Sequence, residues 1–171
     1  FKEDYPNLTT ANVCSCTIDK EKKVTLLSDN TLGITFDYSG LGTLVLNDTA
    51  SLYQDDDEMV NTGIVHAKRK SSPIVKFDFT YWSSPVENQK LIDVSPNSAS
   101  QWFFSYNELS KSWKWGDPLN SNMNLGRGYS IIAPEDFSNT VPQKYEATFK
   151  GIPNNGKITL DLGIGNTFSL I

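Results

Sequence analysis

The feature that most constrains the fold is a series of short apolar segments that follow one another about every ten residues. Residues of the turn-forming types Gly, Asn, Asp and Ser separate them. No stretch carries an apolar stripe with the 3.6-residue period of an amphipathic helix. The sequence therefore predicts an all-β chain. The segments are Cys14–Ile18, Val24–Leu27, Thr31–Phe36, Thr43–Leu46, Ala50–Gln54 and Gly63–Arg69.

Aliphatic residues recur within these segments. Leu32, Leu44, Leu52 and Ile64 follow one another at intervals of 12, 8 and 12 residues. Such a quasi-repeat is typical of a β-solenoid, in which successive coils stack inward-pointing aliphatic side chains. An ordinary antiparallel sheet with tight turns fits the same spacing. We therefore expect residues 1–70 to form a short β-solenoid-like part or a small β-sheet.

Aromatic strands dominate the second half of the chain. Phe77, Phe79 and Tyr81 alternate with polar residues, which predicts a strand that buries this face. Trp82 breaks the alternation, and a Ser-Ser-Pro sequence then ends the strand. Further strands are predicted within residues 101–106, 111–115, 126–134, 145–150 and 157–162. We expect residues 71–171 to form an antiparallel β-sandwich.

The composition narrows the range of partners. Aromatic residues make up 12% of the chain and all hydrophobic residues 38%, a balance that favours sheets over helices. The net charge of −5 argues against a nucleic-acid partner, which requires a basic face. No run of about 18 apolar residues occurs, so we expect no membrane span.

Motifs that carry known catalytic chemistry are missing from the sequence. It contains no nucleophile elbow, zinc-protease helix, phosphate-binding loop or dinucleotide fingerprint. The single histidine, His66, lies in a strand-like pattern and is expected at an outward polar position. The sequence therefore predicts a protein that is not an enzyme.

Two cysteines lie close together, at Cys14 and Cys16. They are too few for a disulfide framework, and a disulfide within Cys-x-Cys closes a small, strained ring. We expect structural or incidental thiols, with a local disulfide as the alternative.

An acidic run, Asp55-Asp56-Asp57-Glu58, lies between two predicted strands. Calcium prefers clustered oxygen ligands, so Asp55 and Asp57 are candidate Ca²⁺ ligands. However, the run lacks the alternating acidic positions and the Gly of a calcium loop. We interpret it as a solvated loop, with a weak Ca²⁺ site as the alternative and no other cofactor expected.

Several aromatic residues are candidates for sugar binding. Trp102, Trp113, Trp115 and Tyr129 could provide a platform on which sugar rings stack. The competing interpretation is core packing, because buried aromatic rings contribute strongly to a β-sandwich core. We favour the core for Trp82 and Trp102. The candidate binding residues are therefore Trp113, Trp115 and Tyr129.

Several motifs occur together in the second half, preceded by a leucine-rich solenoid-like segment. They are Tyr81–Val86, Trp102–Asn107, Gly126–Tyr129 and Phe149–Gly156, after Thr43–Gln54 and Asn61–Lys70. In this order they resemble a module of large secreted and surface proteins of Bacteroidota, notably flavobacteria. The resemblance covers roughly residues 40–171.

This resemblance implies export by the type IX secretion system and an extracellular or cell-surface location. In such proteins the chain normally continues after the last strand and carries a C-terminal sorting domain, so we expect this chain to be part of a longer one. Some of these proteins are adhesins, including those moved during gliding motility. The implied partners are other domains of the same chain, the secretion machinery, and surface glycans or another protein chain.

We therefore expect a non-catalytic module of a large surface protein that serves as a structural spacer or an adhesive tip. A glycan-binding accessory domain of a secreted hydrolase is the alternative. In addition, Asp48-Thr49-Ala50 resembles the sequon on which Bacteroidota attach O-glycans. Thr49 is therefore a candidate glycosylation site, with an ordinary turn threonine as the alternative.

Overall fold

The computed structural model describes residues 1–160 and 169–170, and these residues are predominantly strands, turns and loops. The all-β prediction is thereby confirmed. The strands are β1 (Tyr5–Leu8), β2 (Ala11–Val13), β3 (Cys16–Ile18), β4 (Lys23–Leu26), β5 (Thr31–Ile34), β6 (Tyr38–Gly40), β7 (Thr43–Leu46), β8 (Ser51–Gln54), β9 (Ile64–Lys70), β10 (Phe79–Ser83), β11 (Phe103–Asn107), β12 (Ser112–Trp115), β13 (Gly128–Ile132) and β14 (Glu146–Gly151). The helices are α1 (Leu91–Val94) and a 3₁₀ turn (Ser100–Trp102).

The chain divides into two compact units. The solenoid unit comprises Phe1–Arg69, Pro85–Glu87 and Thr148–Lys157, and the antiparallel unit comprises the remaining described residues. The first segment of the solenoid unit ends at Arg69, next to the predicted boundary at residue 70. The predicted second domain, 71–171, is not continuous, because two later segments return to the solenoid unit. Within that unit these segments join through a bridge between Val86 and Pro153.

Parallel strands of successive coils stack in the solenoid unit. The stacks are β1-β4-β7-β9, with β14 next to β9, then β2-β5-β8 and β3-β6. Val24 pairs with Leu44, and Leu44 with Val65, so each coil takes about 20 residues. All three side chains are buried. The solenoid-like prediction is therefore confirmed.

The predicted aliphatic repeat holds for part of its length. Leu32 and Leu52 are register partners, as a 20-residue coil requires. Ile64, in contrast, pairs with Thr43 and is 37% exposed, while its neighbour Val65 points inward. Successive strand side chains point to opposite faces, so an error of one residue exchanges inside for outside.

A buried tyrosine links the coils of the solenoid unit. The Tyr38 hydroxyl donates to the carbonyl of Ile64 at 2.8 Å and accepts the amide of Leu44 at 3.1 Å. Burial raises the pKa of Tyr38 well above its usual range. Gly63 lies against the ring, where an added Cβ would come within 2.5 Å of it. Both residues are thus fixed by packing.

The antiparallel unit contains a four-stranded sheet in the order β10-β13-β11-β12. All its pairings are antiparallel, as predicted. The inner face of the sheet carries buried side chains, among them Trp82, Phe103, Tyr129 and Ile131. These residues place the core of the unit on one side of the sheet.

Candidate binding surface

The outer face of the antiparallel sheet carries exposed aromatic rings. Phe79 is 41% exposed and Tyr81 60% exposed, whereas Trp82, the residue after Tyr81, is only 9% exposed. The prediction that Phe77, Phe79 and Tyr81 form the buried face was therefore wrong. The alternation of side chains along this strand was predicted correctly, but the buried side is the one that carries Thr80 and Trp82.

Strand register brings further rings to the same outer face. Tyr81 pairs with Ser130, Ser130 with Phe104, and Phe104 with Trp115. Directly opposed residues in a sheet share a face, so these side chains lie in one row. Tyr106 and Trp113 form a second pair on that face. We call the following set the aromatic face: Phe79, Tyr81, Trp102, Phe104, Tyr106, Trp113 and Trp115.

The rings of the aromatic face support one another. Tyr81 stacks on Trp113 with centroids 6.1 Å apart and planes inclined by 10°, and Tyr106 meets Trp113 edge-on at 5.5 Å. At the other end, Phe79 lies 6.3 Å from both Trp102 and Phe104. Such ring pairs stabilise one another beyond simple burial. These contacts hold the rings in fixed positions relative to one another.

Two depressions lie along the aromatic face and share Phe79. One, of about 330 Å³, is lined by Phe79, Tyr81, Phe104, Trp113 and Ser130. The other, of about 310 Å³, lies beside Trp102, and its lining includes the polar side chains of Lys76, Gln101 and Glu135. Concave, largely apolar sites with a few polar groups are the usual form of a ligand site.

The structure brings together two of the three predicted binding residues. Trp113 and Trp115 are 43% and 55% exposed on the aromatic face. Tyr129 is a correction: it is 5% exposed on the inner face, where its hydroxyl accepts the Asn124 amide at 3.0 Å. The core assignment is confirmed for Trp82 and was wrong for Trp102, which is 44% exposed.

Sequence reasoning missed four members of the face: Phe79, Tyr81, Phe104 and Tyr106. Their strands were predicted, but alternation does not tell which face of a strand meets the core. The useful signal was Trp82, because an inward Trp82 would have placed Phe79 and Tyr81 outward.

A family described as a domain of unknown function, DUF8693, matches residues 4–169. The chain belongs to this family. No curated protein and no solved structure gives a significant match to it. Among its described residues, no helix of this DUF8693 domain has the length and apolar character needed to cross a membrane.

The acidic run of this DUF8693 domain lies in an exposed loop. Asp55 and Asp57 are both exposed, and Asp56 accepts the amide of Glu58 at 3.0 Å. Within residues 1–160 and 169–170, no three acidic, His or Cys side chains are grouped so that they could hold a metal ion. The candidate Ca²⁺ ligands are thus not assembled into a site.

The two thiols differ in environment. Cys14 is exposed and Cys16 is buried, and neither forms a disulfide. Burial raises the pKa of Cys16. The expectation that Cys14 and Cys16 are structural or incidental thiols stays a prediction.

Thr49 lies at an exposed turn with φ of 69°. Its hydroxyl donates to the Asp29 carboxylate at 2.7 Å and accepts the Asp29 amide at 3.0 Å. The side chain therefore joins two coils of the solenoid. Glycosylation of Thr49 stays a prediction, and the attachment would replace the donated hydrogen bond.

His66 lies on the outer side of β9, between inward Val65 and Ala67, as predicted. Burial lowers its pKa, and the ammonium groups of Lys150 and Lys23 lower it further. A histidine in this setting is held neutral at neutral pH.

Proposed function

We propose that this DUF8693 domain is a non-catalytic adhesive module that binds uncharged glycan chains through the aromatic face. The observation that carries this proposal is the run of exposed, mutually packed rings on one side of a regular sheet. Contiguous exposed apolar surface of this kind marks an interaction site.

The shape and charge of the face favour a glycan over other partners. The outward strand positions carry rings, two serines, a glycine and Ile132, but no charged side chain. A sugar ring offers a C–H face for stacking on an aromatic ring, while its hydroxyl groups stay in water. An uncharged occupant also suits a protein with a net charge of −5, which repels polyanions.

The wider setting of the proposal comes from the sequence resemblance. We propose that this domain is a module of a large surface protein, which is exported by the type IX secretion system. It would act outside the cell as a spacer or adhesive tip. The alternative is a glycan-binding accessory domain of a secreted hydrolase. A catalytic domain elsewhere in the same reading frame would favour that alternative.

Binding to a glycan array tests the proposed function. We expect the 171-residue chain to bind a set of neutral oligosaccharides, and Trp113→Ala combined with Trp115→Ala to lower the affinity at least about tenfold. Tyr81→Ala should also weaken binding. Tyr53→Ala is the matched control, because Tyr53 is 59% exposed in the solenoid unit and Tyr81 is 60% exposed.

Two results would overturn the proposal. One is the absence of any glycan binding by the unaltered chain. The other is equal binding by the unaltered chain and the Trp113/Trp115 double variant.

A further inference from the structure

We infer that the depression beside Trp102 is a selectivity subsite, which recognises the hydroxyl groups of one uncharged pyranose unit through Lys76, Gln101 and Glu135. We call it the polar subsite. This inference rests on the proposed function, because it assigns a role to one end of the same glycan-binding surface.

The polar subsite combines ring surface with polar side chains. Phe77, Phe79 and Trp102 supply the rings. Lys76, Gln101 and Glu135 contribute an ammonium, an amide and a carboxylate to the same lining. Rings with a small number of placed polar groups are what fixes the orientation of a bound small molecule.

Backbone hydrogen bonds hold the walls of the polar subsite in place. The amide of Lys76 donates to Ser138, that of Trp102 to Ala99 and that of Glu135 to Asn97, each at 3.0 Å. The segments that carry these side chains come from three separate parts of the antiparallel unit. These bonds fix the backbone that carries the three polar side chains, and a fixed backbone lowers the entropy cost of binding.

The three polar side chains are available to a ligand. Within residues 1–160 and 169–170, none of the side chains of Lys76, Gln101 and Glu135 makes a hydrogen bond or an ion pair. A carboxylate only accepts, an ammonium only donates, and an amide does both. A sugar with several hydroxyl groups, each a donor and an acceptor, matches this mixed set.

The charges of the polar subsite cancel. One positive and one negative side chain line it, so its net charge is zero. A uronate attracted by the Lys76 ammonium is repelled by the Glu135 carboxylate, and an amino sugar meets the reverse combination, so neither charge gains from the whole lining. An uncharged pyranose meets no such repulsion, and the subsite therefore favours it.

The neighbouring depression lacks this chemistry. It is lined by four aromatic side chains and Ser130, so that only the hydroxyl groups of Tyr81 and Ser130 and the indole N–H of Trp113 are polar and none of its side chains is charged. Stacking on such rings tolerates many sugars. We therefore infer that the aromatic rings hold the glycan chain, whereas the polar subsite selects the sugar unit at one end of that glycan.

A panel of neutral glucans, N-acetylhexosamine oligomers and uronate polymers tests this inference on the 171-residue chain. We expect Glu135→Ala, Gln101→Ala and Lys76→Met each to lower the affinity for the best-bound neutral oligosaccharide about tenfold. These changes should also alter the order of preference among the neutral sugars. Trp113→Ala should lower all affinities by similar factors and keep the order.

The control is Asp136→Ala, which removes an exposed carboxylate that follows Glu135 and does not line the subsite. It should change neither the affinity nor the order of preference.

If Trp113→Ala weakens binding but the Lys76, Gln101 and Glu135 variants behave like the unaltered chain, the inference of a polar subsite is wrong and the proposed function stands. If the unaltered chain binds no sugar, both fail. Preferred binding of uronates would also overturn the inference. Sedimentation that shows a dimer lost on Tyr81→Ala would assign the face to a second copy instead.

Discussion

The two units of the chain use their strands in different ways. In the solenoid unit, the stacked coils turn aliphatic side chains such as Val24, Leu44 and Val65 inward and bury them. In the antiparallel unit, the sheet also has a buried face, but its outer face carries rings such as Tyr81 and Trp115 that remain exposed. The solenoid's apolar residues are thus explained by stability, whereas the outer rings of the sheet form the surface to which we assign binding.

Polar side chains reinforce the contrast. At the turns of the solenoid they join one coil to the next, as Thr49 does with Asp29, and as Asn30 does by accepting the Thr10 amide at 2.9 Å. In the polar subsite of the antiparallel unit, Gln101 and Glu135 make no such bonds with described residues. Groups that are already bonded stabilise a fold, whereas available groups can serve a ligand.

The largest expected difference between the units follows from one pair of truncations. Leu44→Ala removes a fully buried aliphatic side chain from the solenoid and should lower the free energy of unfolding by about 2–5 kcal/mol. Trp115→Ala, on the exposed face, should lower it by less than about 1.5 kcal/mol. Hydrogen exchange of amides within each unit measures both effects. Equal losses would contradict the division between a stabilising interior and a binding face.

A smaller effect is expected for Tyr38→Phe. The change leaves the ring in place but removes the bonds to the Ile64 carbonyl and the Leu44 amide. Buried groups left without partners cost about 1–3 kcal/mol. Urea unfolding followed by circular dichroism measures the loss. A variant as stable as the unaltered chain would mean that water replaces the hydroxyl group.

The two units also differ in how far the sequence predicted them. Turn residues and short apolar segments were sufficient to predict an all-β chain, and the spacing of Leu32 and Leu52 matched the coil length of the solenoid. The aromatic face could not be derived, since it depends on which side of β10 meets the core. That choice depends on residues far apart in the sequence, such as Trp82 and Tyr129, which pair on the buried side of the sheet. Tyr129 shows the same limit, because the sequence pattern does not tell on which side of the sheet its ring lies.

The return of the chain to the solenoid unit was equally hidden. Pro85–Glu87 and Thr148–Lys157 lie among segments of the antiparallel unit in sequence. The Glu87 amide donates to the Ile152 carbonyl at 2.9 Å, a contact between residues far apart in the chain. Local patterns carry no information about such a pairing, so a sequence-based division could not include these two segments in the solenoid unit.

The smallest expected effect concerns pH and only the solenoid unit, which holds the single histidine of the chain. Burial, together with Lys150 and Lys23, places the pKa of folded His66 below its ordinary value. The unfolded chain therefore binds this proton more readily than the folded protein does. The contribution of His66 to stability is fully present above the unfolded pKa of about 6.5 and is lost as the pH falls through the folded pKa.

Urea unfolding at pH 7.5 and pH 5 tests this expectation, with circular dichroism as the probe. Part of the loss of stability on acidification should disappear in His66→Gln, which keeps a polar side chain but does not titrate. The four tryptophans at positions 82, 102, 113 and 115 all lie in the antiparallel unit, so their fluorescence reports on that unit alone. An identical pH dependence for the unaltered chain and His66→Gln would show that the histidine is equally hydrated in both states, and that carboxylates account for the whole acid sensitivity of the solenoid.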